Sequence, residues 1–515
     1  MFLNRNADHP SSRRRYPMNI HQKYLQVVSQ LGQSKITPSP YDTAWTARLG
    51  EMDSPLSLQA LQWISENQLA DGTWGAAAPY YYHDRMICTL AAITTLAKHG
   101  RRNRDRKQIE RGQSALESLT QFATKGLTAD PAGVTIGFEM LMPTLLAEAE
   151  SLGLISRQGE QRLLSRLSRQ RAQKIASLPG RLINRHVTVA FSAEMAGADG
   201  LGLLDVEHLQ EDNGCVAYSP AATVYFLLHV RHDDRALHWL HSVARDGALP
   251  YIAPIDTFEY AWALWNFSLA NLVDSQAAVY YNQYLDILEQ YWMPGQGIGS
   301  VAGFSLRDGD TSSLAFNTLV RYGRQADLSG ILYYEGPEHF RCFPIESSPS
   351  ISTNVHILGA LRQAGFEAKH PTVQKVLSFL SRVQTRGMSG DFWFDKWHAS
   401  PYYTTAHAII ECAGYDNERV LTAVEWILNT QNPDGSWGFY MPTAEETAYC
   451  LQALSLWKQH AQNIPAEILK KGARWLERHS DHPYPWLWIG KGLYCPELVV
   501  ESAILSALAL VEQTV

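Results

Sequence analysis

The sequence predicts an all-α protein whose helices stack in pairs and divide between two helical units of similar design. Three observations carry that prediction. Strand signals are sparse, apolar residues recur three and four positions apart along most of the chain, and one eight-residue motif occurs twice. Leu58, Leu61 and Ile64 share one helical face, as do Ile409, Ile410 and Ala413, and again Leu451, Leu454 and Trp457. Segments of roughly 12–18 residues are separated by Gly, Pro and Asp, the punctuation of helical arrays. Each segment is too weakly apolar to bury its own face alone, so stacking is expected.

The repeated motif reads Gln68-Leu-Ala-Asp71-Gly72-Thr-Trp74-Gly75 and Gln431-Asn-Pro-Asp434-Gly435-Ser-Trp437-Gly438. Each copy follows a segment with its own tryptophan, Trp63 or Trp426. Asp-Gly makes a tight turn in which glycine takes the positive φ. The glutamine can hydrogen-bond backbone at a neighbouring helix end, and the tryptophan can stack on it. The turn thus staples one helical hairpin to the next. Two distant copies imply two helical domains, the first ending after Tyr218-Ser-Pro220, near the charged stretch Arg231–Arg235.

Composition narrows the function. A chain of 515 residues exceeds one simple core. With 45% hydrophobic and 18% charged residues, most of it cannot be disordered. A net charge of −7 argues against a nucleic-acid partner. Cys88, Cys215, Cys342, Cys412, Cys450 and Cys495 are scattered singly, without a CxxC pair, so neither a zinc site nor a disulfide framework is indicated. No apolar run approaches the ~20 residues of a membrane helix. The N-terminal SSRRRYPMN has no apolar stretch behind it and is not read as a secretory signal. A soluble, cytoplasmic protein is expected. Its 15 Trp, 24 Tyr and 16 Phe supply an unusual number of ring faces.

Further motifs join the repeat: Ser39-Pro40-Tyr41-Asp42-Thr43-Ala44-Trp45, Gly137-Phe138-Glu139 with Pro143, Phe258-Glu259 with Trp262, Asp395-Lys396-Trp397-His-Ala-Ser400-Pro401-Tyr402-Tyr403, and Trp488-Ile489-Gly490-Lys491-Gly-Leu493-Tyr494. In this order and over almost the whole chain, the set resembles the bacterial class II diterpene cyclases, in particular those forming tuberculosinyl (halimadienyl) or kolavenyl diphosphate. The resemblance implies a βγ didomain of two α/α-barrels. The β domain would take residues 18–51 and 233–515, the inserted γ domain 52–232, and the active site would lie between the barrels.

Such enzymes begin by protonating a terminal alkene, a very weak base, which requires a neutral, dry carboxylic acid. The family uses a DxDD motif with the middle Asp as acid. Here the run is Asp308-Gly309-Asp310-Thr311-Ser312-Ser313, so the resemblance makes Asp310 the acid and Asp308 its tuning neighbour. Thr311 replaces the third Asp and can support a carboxyl by hydrogen bonding. The same run also suits a helix N-cap, and the two readings are compatible. His356 falls where the family places a polar partner for the acid, with Asn354 as the alternative. Trp262, Trp397, Phe258, Tyr402 and Tyr403 match the ring faces that stabilise carbocations, each by on the order of 1–2 kcal/mol when dry. Any of them can equally be core. A tryptophan common eight residues before the first Asp is replaced by Ser300.

The positions of the plant His/Asn pair that holds a terminating water fall near Ser192 and at Tyr251. Without that base the cation lives longer, which favours a rearranged clerodane or halimane skeleton. At the diphosphate end the resemblance points to Glu139 for Mg²⁺ and to Lys174 and Lys491 for phosphate oxygens. Each also reads as an ordinary charge. Asp233-Asp234-Arg-Ala-Leu237 lacks the last Asp of an ionising DDxxD cluster, so the diphosphate is expected to survive. The product would then pass to a separate class I terpene synthase or phosphatase, and homodimerisation is open. The competing expectations are a drimenyl-type cyclase of farnesyl diphosphate, a squalene-hopene-type triterpene cyclase and a non-enzymatic helical binding module.

Overall fold

The computed structural model describes residues 20–121, 130–155, 161–346, 348–461 and 464–515. Residues 18 and 19 of the expected β segment, and the arginine-rich stretch before them, lie outside that set.

Helices alternate between an inner and an outer layer along the chain. After α1 (Ile20–Gln30) comes a first ring of α2 (Pro40–Thr46), α4 (Tyr82–His99), α6 (Phe138–Ser151), the 3-10 segment Thr188–Ala196 and α8 (Pro220–His229), which packs back on α2. Outside it lie α3 (Ser54–Glu66), α5 (Asn103–Gln121), α7 (Gln161–Ala176) and α9 (Asp234–Val243), against α2, α4, α6 and α8 in turn. The second ring is α10 (Asp256–Leu269), α12 (Gly309–Arg321), α14 (Ile351–Gln363), α16 (Pro401–Cys412), α18 (Ala444–Ala461) and α20 (Glu497–Thr514), with α20 closing on α10. Its outer layer is α11 (Ala278–Tyr291), α13 (Ser329–Leu332), α15 (Pro371–Val383), α17 (Asn417–Asn429) and α19 (Ala466–His479), and α1 covers α20. Among the described residues, two short antiparallel hairpins, β1 (Thr385–Gly387) with β2 (Gly390–Phe392) and β3 (Trp488–Ile489) with β4 (Leu493–Tyr494), make up the strands. The all-α, two-barrel expectation holds.

Three inner helices begin with Ser-Pro. Ser39, Ser219 and Ser400 accept from the backbone N–H of Asp42, Ala222 and Tyr402, and the proline takes the first helical position, where its missing N–H costs nothing. Each cap is worth about 1 kcal/mol.

The repeated turn works as expected. Gln68 Nε2 donates to the carbonyls of Gly72 and of Gln108 on α5, both at 2.9 Å, and Gln431 Nε2 donates to those of Gly435 and of Ile468 on α19. Trp74 and Trp437 donate through Nε1 to Ile64 and Ile427, both at 2.7 Å. Their backbone N–H groups go to the hydroxyls of Thr89 and Thr447 on the next inner helix. The same backbone-to-hydroxyl bond recurs from Val216 to Thr223, from Trp393 to Thr405 and from Ile298 to Ser312. At Gln210, the glutamine also bonds Gly214 as Gln68 bonds Gly72. The repeat is therefore wider than its tryptophan signature.

Two details differ from the sequence reading. Leu58 is 64% exposed, and the buried face of α3 is Leu56, Ala60 and Ile64, the i, i+4, i+8 row facing α2 and α4. The apolar core of the inserted unit also runs past the limits 52–232. Tyr41, Ala44 and Trp45 before that span, and Ala236, Trp239 and Leu240 after it, pack in the same cluster. Asp233, in the stretch expected to mark the boundary, is the N-cap of α9 and pairs with Arg235.

Candidate active site

A cavity of about 160 Å³ opens where the two cores meet. Tyr251 and Phe258 pack against both cores. Ile136, Thr188 and Phe191 come from the first ring, and Trp262, Trp397 and Trp488 from the second. Asp308 and Asp310 are the only carboxylates, and there is no histidine, lysine or arginine, among the described residues lining it. Its wall is largely apolar, with the two acids among its few polar groups, as ligand cavities commonly are.

Asp308 is the N-cap of α12, and its Oδ1 accepts from the backbone N–H of Thr311 at 2.6 Å. Burial, together with the neighbouring charge of Asp310, pushes Asp308 up to about 7, against the bond from Thr311. Two residues on, Asp310 lines the cavity, 8% exposed. Its Oδ1 lies 2.6 Å from Nδ1 of His356, which is fully buried on α14. His356 Nε2 lies 2.8 Å from Nδ1 of His407 on α16. The helix-cap reading of Asp308–Ser313 thus holds, and the cap leaves the Asp310 carboxyl facing the cavity. Asn354 takes no part, because its amide is used by the backbone of Phe340 and Ser350. Asp395 fixes the start of α14 by accepting from the N–H groups of Ile351 and Ser352 and the hydroxyl of Ser352. That anchor sets where His356 stands.

The aromatic candidates separate. Trp262 lines the cavity, packs on Phe258 at 4.1 Å between centroids, and donates from Nε1 to the Tyr403 hydroxyl at 3.0 Å. Phe258 stands perpendicular to Trp488 at 5.4 Å. Trp397 also lines the cavity, and the Lys396 ammonium sits 5.2 Å over its ring. Tyr403 lies behind this wall, stacked on His398 at 4.8 Å. Tyr402 does not reach the cavity; its ring packs on Trp426 at 4.6 Å, as core. Tyr251 sits against Tyr494 at 4.5 Å and so close to Gly490 that a Cβ there would meet its ring at 2.6 Å. Ser192 is buried beside Gly137 and does not line the cavity.

Sequence reasoning missed two supports. Glu445 Oε1 accepts from Trp488 Nε1 at 2.7 Å and meets His398 Nε2 at 3.1 Å, so a buried carboxylate orients one cavity ring. His407 extends the line behind His356. Its one sequence signal was its place four residues after Tyr403, on the same helical face.

The basic and metal candidates sit apart from the cavity lining. Lys174 forms an ion pair with Glu139. Lys491 is fully buried, bonded to Glu194 Oε1 at 2.6 Å and the Ser219 hydroxyl at 2.7 Å, with Phe191 4.6 Å below its ammonium. Among the described residues no three His, Cys, Asp or Glu side chains converge as a metal cage. Glu139 alone offers one carboxylate, enough only for an ion that arrives already bound to phosphate. All six cysteines are buried and free. No helix among the described residues is long and apolar enough to cross a membrane.

Comparison with known proteins places this architecture. The squalene-hopene cyclase C-terminal domain matches residues 345–486. A type B diterpene cyclase of Mycobacterium tuberculosis is 47% identical over 93% of this chain and 96% of its own length. An ent-copalyl diphosphate synthase of a Streptomyces species is 32% identical over 88% of each chain. The solved ent-copalyl diphosphate synthase of Streptomyces platensis superposes with a TM-score of 0.77 at 27% identity, covering 96% of this chain and all of that one.

Proposed function

The chain belongs to the class II diterpene cyclases, and from that premise we propose that it cyclises geranylgeranyl diphosphate by protonation, with Asp310 as the acid and the diphosphate retained. The observation that carries this reading is the Asp310–His356 contact at the end of a chamber walled by tryptophan and phenylalanine. A neutral Asp310 gives its proton to the terminal alkene, and a hydrogen bond from His356 stabilises the carboxylate left behind. Asp308, held by Thr311, tunes that acid. As positive charge moves along the folded chain, Trp262, Phe258, Trp397 and Trp488 offer ring faces that stabilise it without attacking it. Tyr403 and Glu445 keep Trp262 and Trp488 in place.

We propose a rearranged bicyclic product of the kolavenyl or halimadienyl type. The support is that, among the described residues, those lining the cavity include no histidine and no carboxylate besides Asp308 and Asp310, and so no early deprotonating base. Tyr251 and Tyr494 are the groups nearest that role. Lys174 and Lys491 are proposed for the diphosphate, each on giving up its carboxylate partner, Glu139 or Glu194, and Glu139 for a magnesium ion carried in on the diphosphate. The intact diphosphate suits a later ionising synthase or a phosphatase. The test is an assay with geranylgeranyl and farnesyl diphosphates, dephosphorylated products being read by mass spectrometry. A bicyclic C20 product of unchanged mass is expected, without stoichiometric inorganic diphosphate; release of inorganic diphosphate contradicts the reading. Excess chelator should lower the rate modestly, and full activity in chelator would remove the magnesium proposal.

A further inference from the structure

We propose that His407 is a positioning residue that sets the tautomer of His356 and so aims the acid proton of Asp310 into the cavity. The inference rests on the reading of Asp310 as the acid. A neutral carboxyl has one proton and two oxygens. Asp310 Oδ1 lies 2.6 Å from His356 Nδ1. If Nδ1 is the unprotonated nitrogen, it takes the acid's hydrogen bond, and the proton points into the protein. If Nδ1 carries hydrogen, it donates to Oδ1, and the acid proton sits on Oδ2, free to meet an alkene in the cavity. The tautomer of one buried imidazole therefore decides whether the acid can act.

The choice is made at the far end of the line. His356 Nε2 faces His407 Nδ1 at 2.8 Å. His407 lies among rings, with Tyr403 at 4.4 Å, Trp265 at 4.8 Å and Tyr449 at 5.5 Å between centroids. Its Nε2 has no hydrogen-bond partner among the described residues. Burial, with His356 and His398 nearby, holds His407 well below the usual histidine range, so it is neutral and carries one ring proton. A buried N–H without a partner costs more than a bare lone pair and is rarely seen. The proton of His407 therefore sits on Nδ1 and is donated to His356 Nε2. His356 must then carry its own proton on Nδ1. The unpartnered Nε2 of His407 thus fixes the direction of every bond up to Asp310.

The experiment reads the tautomer directly. Two-dimensional ¹⁵N–¹H spectra of ¹⁵N-histidine-labelled enzyme, with His356→Asn assigning the signal, should show His356 protonated at Nδ1 and bare at Nε2. His407→Phe keeps a ring and removes the donor. It should dissolve that preference and lower kcat by at least about tenfold, in line with the cost of a wrong tautomer in other catalytic lines, while KM stays within about twofold. His407→Asn, with an amide N–H near the place of Nδ1, should restore both. A parent spectrum with His356 protonated at Nε2, alone or on both nitrogens, overturns the proposal. So does a folded His407→Phe enzyme with parental kcat. The parent spectrum decides even if His407→Phe does not fold. It is taken without substrate and so stands apart from the assignment of Asp310 as acid, which Asp310→Asn tests.

Discussion

The role proposed for Asp310 is to release a proton to carbon, and three features of its surroundings bear on that proposal. Asp310 is largely screened from water, a second carboxyl lies two residues away, and an imidazole touches its Oδ1. Asp310→Asn keeps the shape and the hydrogen bonding and removes the acid. Turnover should fall by at least ~10²–10⁴ with the fold intact, read by product formation and circular dichroism. Asp308→Asn should cost less. Thr311→Ala should leave measurable activity, because alanine loses the hydroxyl's bond to Asp308 but keeps the 2.6 Å bond from the backbone N–H. The pair Asp308 and Asp310 was legible because both stand on one local turn. His407 was not, because its partner His356 is 51 residues away and the two meet only when neighbouring inner helices close into a ring. Lys491 shows the opposite limit. The motif marks it as a cation, but only the fold shows that Glu194, 297 residues away, neutralises it in a fully buried site.

At the scale of elements, motif residues prove to be clamps between segments. Asp42 on α2 accepts from the N–H of Ala221 on α8, closing the first ring. Glu259 on α10 accepts from the N–H groups of Gly32 and Ser34 after α1, across more than 220 residues. Burial pushes both carboxyls up to about 7. The folded chain therefore holds protons that the unfolded chain has already lost between pH 4 and pH 7, so these groups make stability fall as pH rises through that window and level off above it. For Glu259, the rise from 4.5 to about 7 corresponds to on the order of 3 kcal/mol. Glu259→Gln keeps an acceptor and cannot ionise. Urea titrations at pH 5 and pH 8 should show a smaller loss of stability in the variant than in the parent; an equal loss would mean that Glu259 does not hold its proton in the folded state. These clamps follow from the fold and could not be read as such from spacing, whereas the Gln-Asp-Gly-Trp turns could, since every partner within the turn lies inside the motif.

At the scale of the molecule, two rings of inner elements meet around a chamber lined from both cores. The two-unit plan was visible in the repeated turn, and the limits were not. Helix α2 precedes the apparent insertion and α9 follows it, yet both complete the first core, because ring closure recruits whichever segment fits the open edge. What the chamber does is tested most directly by its proton. With geranylgeranyl diphosphate in D₂O, protonation by a solvent-exchanged Asp310 leaves the cation on the dimethyl carbon that closes the ring, so the product diphosphate should carry deuterium on the former alkene CH carbon beside it, with no stoichiometric inorganic diphosphate. A product without deuterium at that carbon, formed together with inorganic diphosphate, would mean that the reaction starts by ionisation at the other end of the substrate and would contradict the account.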